Sequence, residues 1–291
     1  MFKSFMLAAG LLVASAAHCW ATDIPFTLEN GFIIVKAKIK KDVPVEVAIA
    51  TGSPYSLFNT ETVLRNKIQI AFTSDGPVTD RVMLIADIPQ VVVGDEKPVS
   101  LLMRQGEFKE TDKTMGREIG ATLGADFFRG KILQIDFKQK EMRFLDKSPF
   151  DYKQSMIPAG THTAFFRMDQ PAYTIFGNAV TLPIVKEVSF DGVKIETLFN
   201  TGVEPAVSIS PSASKGIPWG PAPDKGSRKS IEVKSVGLNG IEVSEVSAML
   251  FGKDAGFGER EKDYGAIIGS SLMKTFTVTF DWKEKVVVVE R

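Results

Sequence analysis

The sequence predicts an all-β chain of two similar lobes, related by an internal pseudo-twofold repeat and carrying a few short helices. Three observations predict it. Residues 43–52 recur at 193–202, so that Ala50-Thr51-Gly52 lines up with Asn200-Thr201-Gly202. A second block, 119–128, recurs at 264–273, and its register runs on through Asp136-Phe137-Lys138-Gln139-Lys140 and Asp281-Trp282-Lys283-Glu284-Lys285. Both blocks alternate with the period of two that marks strands. The first block repeats at an offset of 150 and the second at 145, so the copies differ by five residues between the blocks, a difference that belongs in loops or a flap.

Taken in order, residues 1–21 read as a signal peptide. Lys3 supplies a positive start, Phe5 to Ala17 an apolar run too short to span a bilayer, and Cys19-Trp20-Ala21 a small-residue cleavage site. The expected product is exported, periplasmic or secreted, begins near Thr22 and has no membrane span after cleavage. Cleavage removes the single cysteine and one of the two histidines, leaving His162. That excludes disulfides, a thiol nucleophile and the clustered nitrogen and sulfur ligands of a zinc site, so neither a metal nor an organic cofactor is expected. His162 itself reads as a loop residue between the repeats. Lys plus Arg equals Asp plus Glu at 35 each, so no net field draws the chain to nucleic acid.

The first lobe, 22–150, opens with a hairpin. Ile33, Val35, Ala37 and Ile39 alternate with a face carrying Lys36, Lys38 and Lys40, and after a turn at Lys41-Asp42 the apolar face continues through Val43, Val45, Val47 and Ile49. The second lobe, 151–291, repeats it around Asp191-Gly192, a dipeptide suited to a two-residue turn because both central residues tolerate positive φ. Val193, Ile195, Thr197 and Phe199 then face inward. Short helices are expected at 60–66, 125–129 and 270–274. The lobe boundary falls near Pro149 to Pro158, where prolines interrupt the strand pattern.

Each lobe thus runs an apolar strand into Xaa-Thr-Gly and later supplies an apolar-apolar-Gly element, Thr122-Leu123-Gly124 and Ile267-Ile268-Gly269. This pair of pairs resembles the aspartic peptidases of the pepsin and retropepsin type, over about 30–145 and 180–290. The resemblance implies the two-lobed, barrel-like acid-protease fold with a sheet built from both lobes beneath a cleft. It implies that Thr51 and Thr201 bond across the two loops and that Gly52 and Gly202 let the loops meet. Gly124 and Gly269 would sit where a crossing segment passes closely behind each loop. Flaps are expected near Ser74, Asp75 and Gly76 and, in the second lobe, near Gly226 and Ser227. One chain supplies both loops, so a monomer is expected.

The chain departs from the family where its chemistry resides. Aspartic peptidases use two carboxylates sharing one proton, and here Ala50 and Asn200 occupy those positions. Alanine offers no titratable atom, and an amide neither takes a proton at ordinary pH nor carries the charge that activates water. No catalytic residue is therefore assigned, and the expected function is capture of an extended peptide or a protein partner in the cleft without cleavage. Two other readings compete. One is a hydrolase with non-standard residues, for which Glu204, two residues after Gly202, and Asp126, just after the Leu123-Gly124 element, are the candidates; the other is a structural or assembly protein of the cell envelope, using a surface near Pro218-Trp219.

Overall fold

Alternation of apolar and charged residues over 32–49 becomes an antiparallel pair in the computed structural model, which describes residues 22–75, 82–152, 162–168, 172–214, 218–255 and 263–291. The segment 1–21 expected to be a signal peptide, Gly76 and most of the boundary segment lie outside the described residues. After β1 (Ile24–Pro25) and β2 (Thr27–Glu29), β3 (Phe32–Ile39) pairs with β4 (Val43–Ile49) in the register Ile33↔Ile49 to Ile39↔Val43. Ile33, Val35, Ala37 and Ile39 are buried while Lys36 and Lys38 are exposed, because successive side chains leave a strand on opposite faces.

Beyond the first Thr-Gly loop come β5 (Leu57–Asn59) and α1 (Thr60–Arg65), which starts where the Asn59 side chain accepts the Glu61 N–H at 3.1 Å. A meander of β6 (Ile70–Asp75), β7 (Val82–Val93) and β8 (Val99–Gly106) leads through α2 (Lys109–Met115) to β9 (Ala121–Leu123). The lobe's eight strands run β2-β3-β4-β9-β5-β8-β7-β6, and a further β3–β7 pairing closes the sheet on itself. Helix α2 was not expected from the sequence. None of its residues is buried, so it carries no apolar stripe for periodicity to reveal. Asp112 ties it down instead, accepting the Ile119 N–H at 2.8 Å and Asn59 Nδ2 at 2.9 Å.

Helix α3 (Ala125–Phe128) then leads to the hairpin β10 (Ile132–Asp136) and β11 (Glu141–Phe144). The second lobe follows with β12 (Thr163–Arg167), the hairpin β13 (Ala172–Ile175) and β14 (Asn178–Thr181), β15 (Ile184–Val185), β16 (Val188–Phe190), β17 (Val193–Lys194) and β18 (Thr197–Phe199). Past the second Thr-Gly loop stand β19 (Val207–Ile209), the long ribbon β20 (Arg228–Leu238) and β21 (Ile241–Phe251), β22 (Ala266–Ile268), α4 (Ser270–Met273), β23 (Thr277–Asp281) and β24 (Val286–Glu290). Its sheet runs β15-β18-β22-β19-β21-β20-β16-β17. In this lobe β16 pairs with β20, as β3 pairs with β7 in the first, with Val188 opposite Leu238.

A third sheet, β1-β11-β10-β23-β24-β12, joins the lobes. Three strands come from each, and β10 meets β23 antiparallel at the centre with Gln134 opposite Thr279. Those two residues are 145 apart, so at the middle of the ladder a residue faces its own counterpart, which places the pseudo-twofold axis there. Gln134 Nε2 donates to Thr279 Oγ1 at 3.1 Å across it. Asp136 and Asp281 do matched work in the hairpin turns: each Oδ1 accepts two backbone N–H groups, from Lys138 and Gln139 at 3.0 Å and from Lys283 and Glu284 at 2.9 Å. Trp282 locks the lobes, stacking on Phe128 with ring centroids 5.1 Å apart and donating Nε1 to Thr181 O at 3.0 Å. Leu133, Ile135, Val278 and Phe280 lie in one core that continues into both lobes.

Candidate functional site

The two Thr-Gly loops are positioned by identical strand arithmetic. Each follows a strand that pairs in parallel with the apolar-apolar-Gly element, β4 with β9 and β18 with β22. Ala50 N donates to Leu123 O at 2.9 Å and Asn200 N to Ile268 O at 3.0 Å, so each loop leaves its strand at the same point. The glycine after each element is demanded by space. A Cβ on Gly124 would stand 2.6 Å from Tyr55 O and 2.8 Å from Ser53 O; on Gly269 it would stand 2.1 Å from Pro205 O and 2.4 Å from Val203 O. These are rigid backbone atoms of the passing loop.

The loops meet through their threonines, both fully buried. Thr51 N donates to Thr201 Oγ1 at 3.2 Å and Thr201 N to Thr51 Oγ1 at 3.1 Å. Each hydroxyl then donates onward, Thr51 Oγ1 to Phe199 O at 3.1 Å and Thr201 Oγ1 to Ile49 O at 2.7 Å. Gly52 and Gly202 complete the approach. A Cβ on Gly52 would lie 2.6 Å from Asn200 Cβ and Cγ, and one on Gly202 would lie 2.8 Å from the Ala50 methyl. Positions 50, 51, 52, 200, 201 and 202 therefore form one cluster on the axis.

At its centre the symmetry breaks. Asn200 Oδ1 accepts both loop amides, Gly202 N at 2.9 Å and Gly52 N at 3.2 Å. Those two donors identify the oxygen and leave the NH2 on the other side, where it makes no hydrogen bond with any described residue. Opposite stands the methyl of Ala50, 7% exposed. The centre thus offers an amide donor beside an apolar surface and no acid or base.

The two neighbouring carboxylates lie elsewhere. Asp126 on α3 is a local brace: it accepts Ser56 N at 2.9 Å, Ser56 Oγ at 2.6 Å and Phe127 N at 2.8 Å, while Ser56 Oγ accepts Gly124 N at 2.9 Å. Burial pushes its carboxyl above the ordinary carboxylate value against the pull of those bonds. Glu204 is exposed, with its backbone and side chain against Gly31 of the β2–β3 turn. His162 is an exposed residue before β12 whose carbonyl accepts Arg291 N at 2.8 Å.

The two flap expectations fall differently. Ser74 and Asp75 lie on β6, paired with Met83 and Val82 in a hairpin whose tip, including Gly76, is outside the described residues. Gly226 and Ser227 are not a hairpin tip. They form a turn at the open end of the β20–β21 ribbon, with Gly226 N on Lys253 O at 2.7 Å and Gly252 N on Ser227 O at 2.8 Å. The tip of that ribbon is Asn239-Gly240. The reason is the segment before β20, where Pro218, Pro221 and Pro223 lack the N–H a strand like β6 would need. Trp219 in that segment packs inward and donates Nε1 to Asp191 Oδ2 at 2.6 Å.

This is the fold of the aspartic proteinases. The structure is similar to that of an aspartic proteinase from Irpex lacteus, with a TM-score of 0.52 and 11% identity over 93% of this chain and 97% of that one. It is also similar to basic 7S globulin from soybean, with a TM-score of 0.46 and 10% identity over 92% and 94% of the two chains. No family model and no curated protein matches the sequence. At 11% identity the likeness to the proteinase establishes the shared fold and leaves activity to the residues of the site.

Proposed function

We propose that this protein is an exported, catalytically inactive member of the aspartic-peptidase-like fold that binds an extended peptide or a protein partner in the cleft between its lobes, as a monomer. The observation that carries the reading is the pair Ala50 and Asn200 inside loops that are otherwise complete, with both threonines and all four glycines in place. Peptide hydrolysis by a shared-proton dyad needs two titratable oxygens, and this centre has none. What it retains suits binding. The unengaged Asn200 NH2 is oriented by two backbone amides and suits a carbonyl oxygen of a bound main chain, a contact that does not titrate and so holds from acid to neutral pH.

The test is to rebuild the dyad. Purified wild type should cleave no unfolded protein substrate at any pH from acid to neutral, and neither Ala50→Asp nor Asn200→Asp should restore more than a trace. Ala50→Asp/Asn200→Asp should gain acid-optimal cleavage and lose stability, because two like charges then share one site. Robust cleavage by wild type, retained through repurification and abolished by Asp126→Asn or Glu204→Gln, would overturn the reading.

A further inference from the structure

A cation without a counter-ion stands just beyond the first Thr-Gly loop. Arg104 on β8 has its guanidinium carbon 4.3 Å from the ring centre of Tyr55 in the first lobe and 5.6 Å from that of Phe176 in the second. Its side chain makes neither a hydrogen bond nor an ion pair with any described residue. Among the described residues only Arg104 and Arg167 have such guanidiniums, and Arg167 is exposed to water on β12. Arg104 Nε is enclosed and has no partner, whereas the two terminal nitrogens are not enclosed. Enclosing a guanidinium nitrogen without an acceptor is costly, and a stack of rings replaces water without supplying that acceptor.

The fold does not require this arrangement. By strand register, the second-lobe counterpart of Arg104 is Met249, since Leu57 lies opposite Arg104 and Thr122 as Ser208 lies opposite Met249 and Ile267, and Pro205 stands at the place of Tyr55; these two form no such stack. The turn that delivers Phe176 points the same way. Among the described residues, four two-residue hairpin turns have both central residues at positive φ: Asn30-Gly31, Asp191-Gly192, Asn239-Gly240 and Phe176-Gly177. Three begin with Asn or Asp, the residues that tolerate this conformation. The fourth holds a phenylalanine at φ 48°, where a bulky side chain is an outlier maintained only by its surroundings. Arg129 of the first lobe fixes the turn by donating Nη1 to Asn178 Oδ1 at 2.6 Å. A strained ring, an anchored turn and an enclosed Nε all serve one unmatched guanidinium.

We infer that Arg104, held between Tyr55 and Phe176 at the seam of the lobes, is a recognition site for a carboxylate of the bound peptide. The planar fork of a guanidinium matches two carboxylate oxygens, and its side-chain freedom has already been removed by the rings. The carboxylate comes from an acidic side chain or from the peptide's C-terminus. This inference rests on the peptide-binding reading above.

The experiment uses the full mature protein at low ionic strength and degenerate peptide pools that differ at one fixed position, Glu or Gln, each with a free or an amidated C-terminus. Wild type should favour the carboxylate-bearing pool by about tenfold or more, the size of a charge-assisted hydrogen bond in a partly enclosed site. Arg104→Gln should abolish that preference, so that it binds the four pools alike. Arg104→Lys should recover only part of it. A preference that follows Glu identifies an acidic side chain; one that follows the free terminus identifies the C-terminus. Equal binding of all pools by wild type, or a preference that survives Arg104→Gln, would overturn the inference and leave peptide binding intact. Failure of every pool to bind would overturn the peptide reading itself and this inference with it.

Discussion

The two Thr-Gly loops share a backbone and differ at their working residue. Around the threonines the symmetry is close: the two N–H to hydroxyl bonds are 3.2 and 3.1 Å, and each hydroxyl reaches the carbonyl two residues before the other threonine. At positions 50 and 200 it is absent, since Asn200 Oδ1 serves the glycine amides of both loops and Ala50 serves neither. The supports behind the loops differ too. In the first lobe Gly124 N donates to Ser56 Oγ, braced by Asp126; in the second, Gly269 N donates to Ala206 O at 3.0 Å with no side chain involved. The lesson is that the fold is carried by threonines, glycines and backbone pairing. The residues that would define the chemistry can change without disturbing it.

That comparison can be broken in three ways. The largest effect is expected from filling the crossings. Gly124→Val and Gly269→Val should each cost about 3 kcal/mol or more, because the new side chain meets fixed carbonyls rather than movable side chains. Gly269→Val should be the worse of the two, since its nearest carbonyl oxygen is 2.1 Å away against 2.6 Å at Gly124. Thermal denaturation of both variants checks this, and wild-type melting would remove the crossing as a constraint.

A smaller and nearly equal loss is expected from either threonine. Thr51→Val and Thr201→Val each delete a buried donor and acceptor and strand an amide in the other loop, at about 1–3 kcal/mol apiece. The double variant should cost less than the sum, because both singles break the same network. Urea titration of the singles and the double decides it; additive losses would mean that the loops are supported independently.

The smallest effect separates the lobes by pH. Asp126 has its carboxyl raised above the ordinary value by burial, so the folded state keeps that proton at pH values where the unfolded chain has released it. Its contribution is therefore full below the unfolded carboxylate value and is lost as pH rises through the folded one. Asp126→Asn should flatten this part of the stability–pH curve, whereas Ser271→Ala, at the counterpart position, should leave it unchanged. Denaturation midpoints measured across the acid range provide the check.

Much of this was legible in the sequence because it depends on local pattern. Lys36 and Lys38 opposite Val35 and Ala37 define a strand with a wet face, and in the second lobe Asp191-Gly192 defines the turn between β16 and β17, with φ of 48° and 82°. The repeat itself fixed which residues are counterparts: Thr51 and Thr201, Gly124 and Gly269, Ala50 and Asn200. Helix α2 stayed hidden because an exposed polar helix has no buried face to give it a period. Gly226 and Ser227 form a turn before β20 rather than a hairpin tip, which a basic Gly-Ser stretch does not reveal, because among the described residues the proline-rich segment upstream supplies no strand to pair with. Only the tertiary structure decided that Asn200 Oδ1 collects both glycine amides, that Asp126 braces Ser56, and that Arg104 lies between rings of different lobes. Each of those includes a contact between residues about 50 to 150 positions apart, and sequence periodicity, which reports neighbours along one element, carries no record of which distant side chain will fill the space opposite.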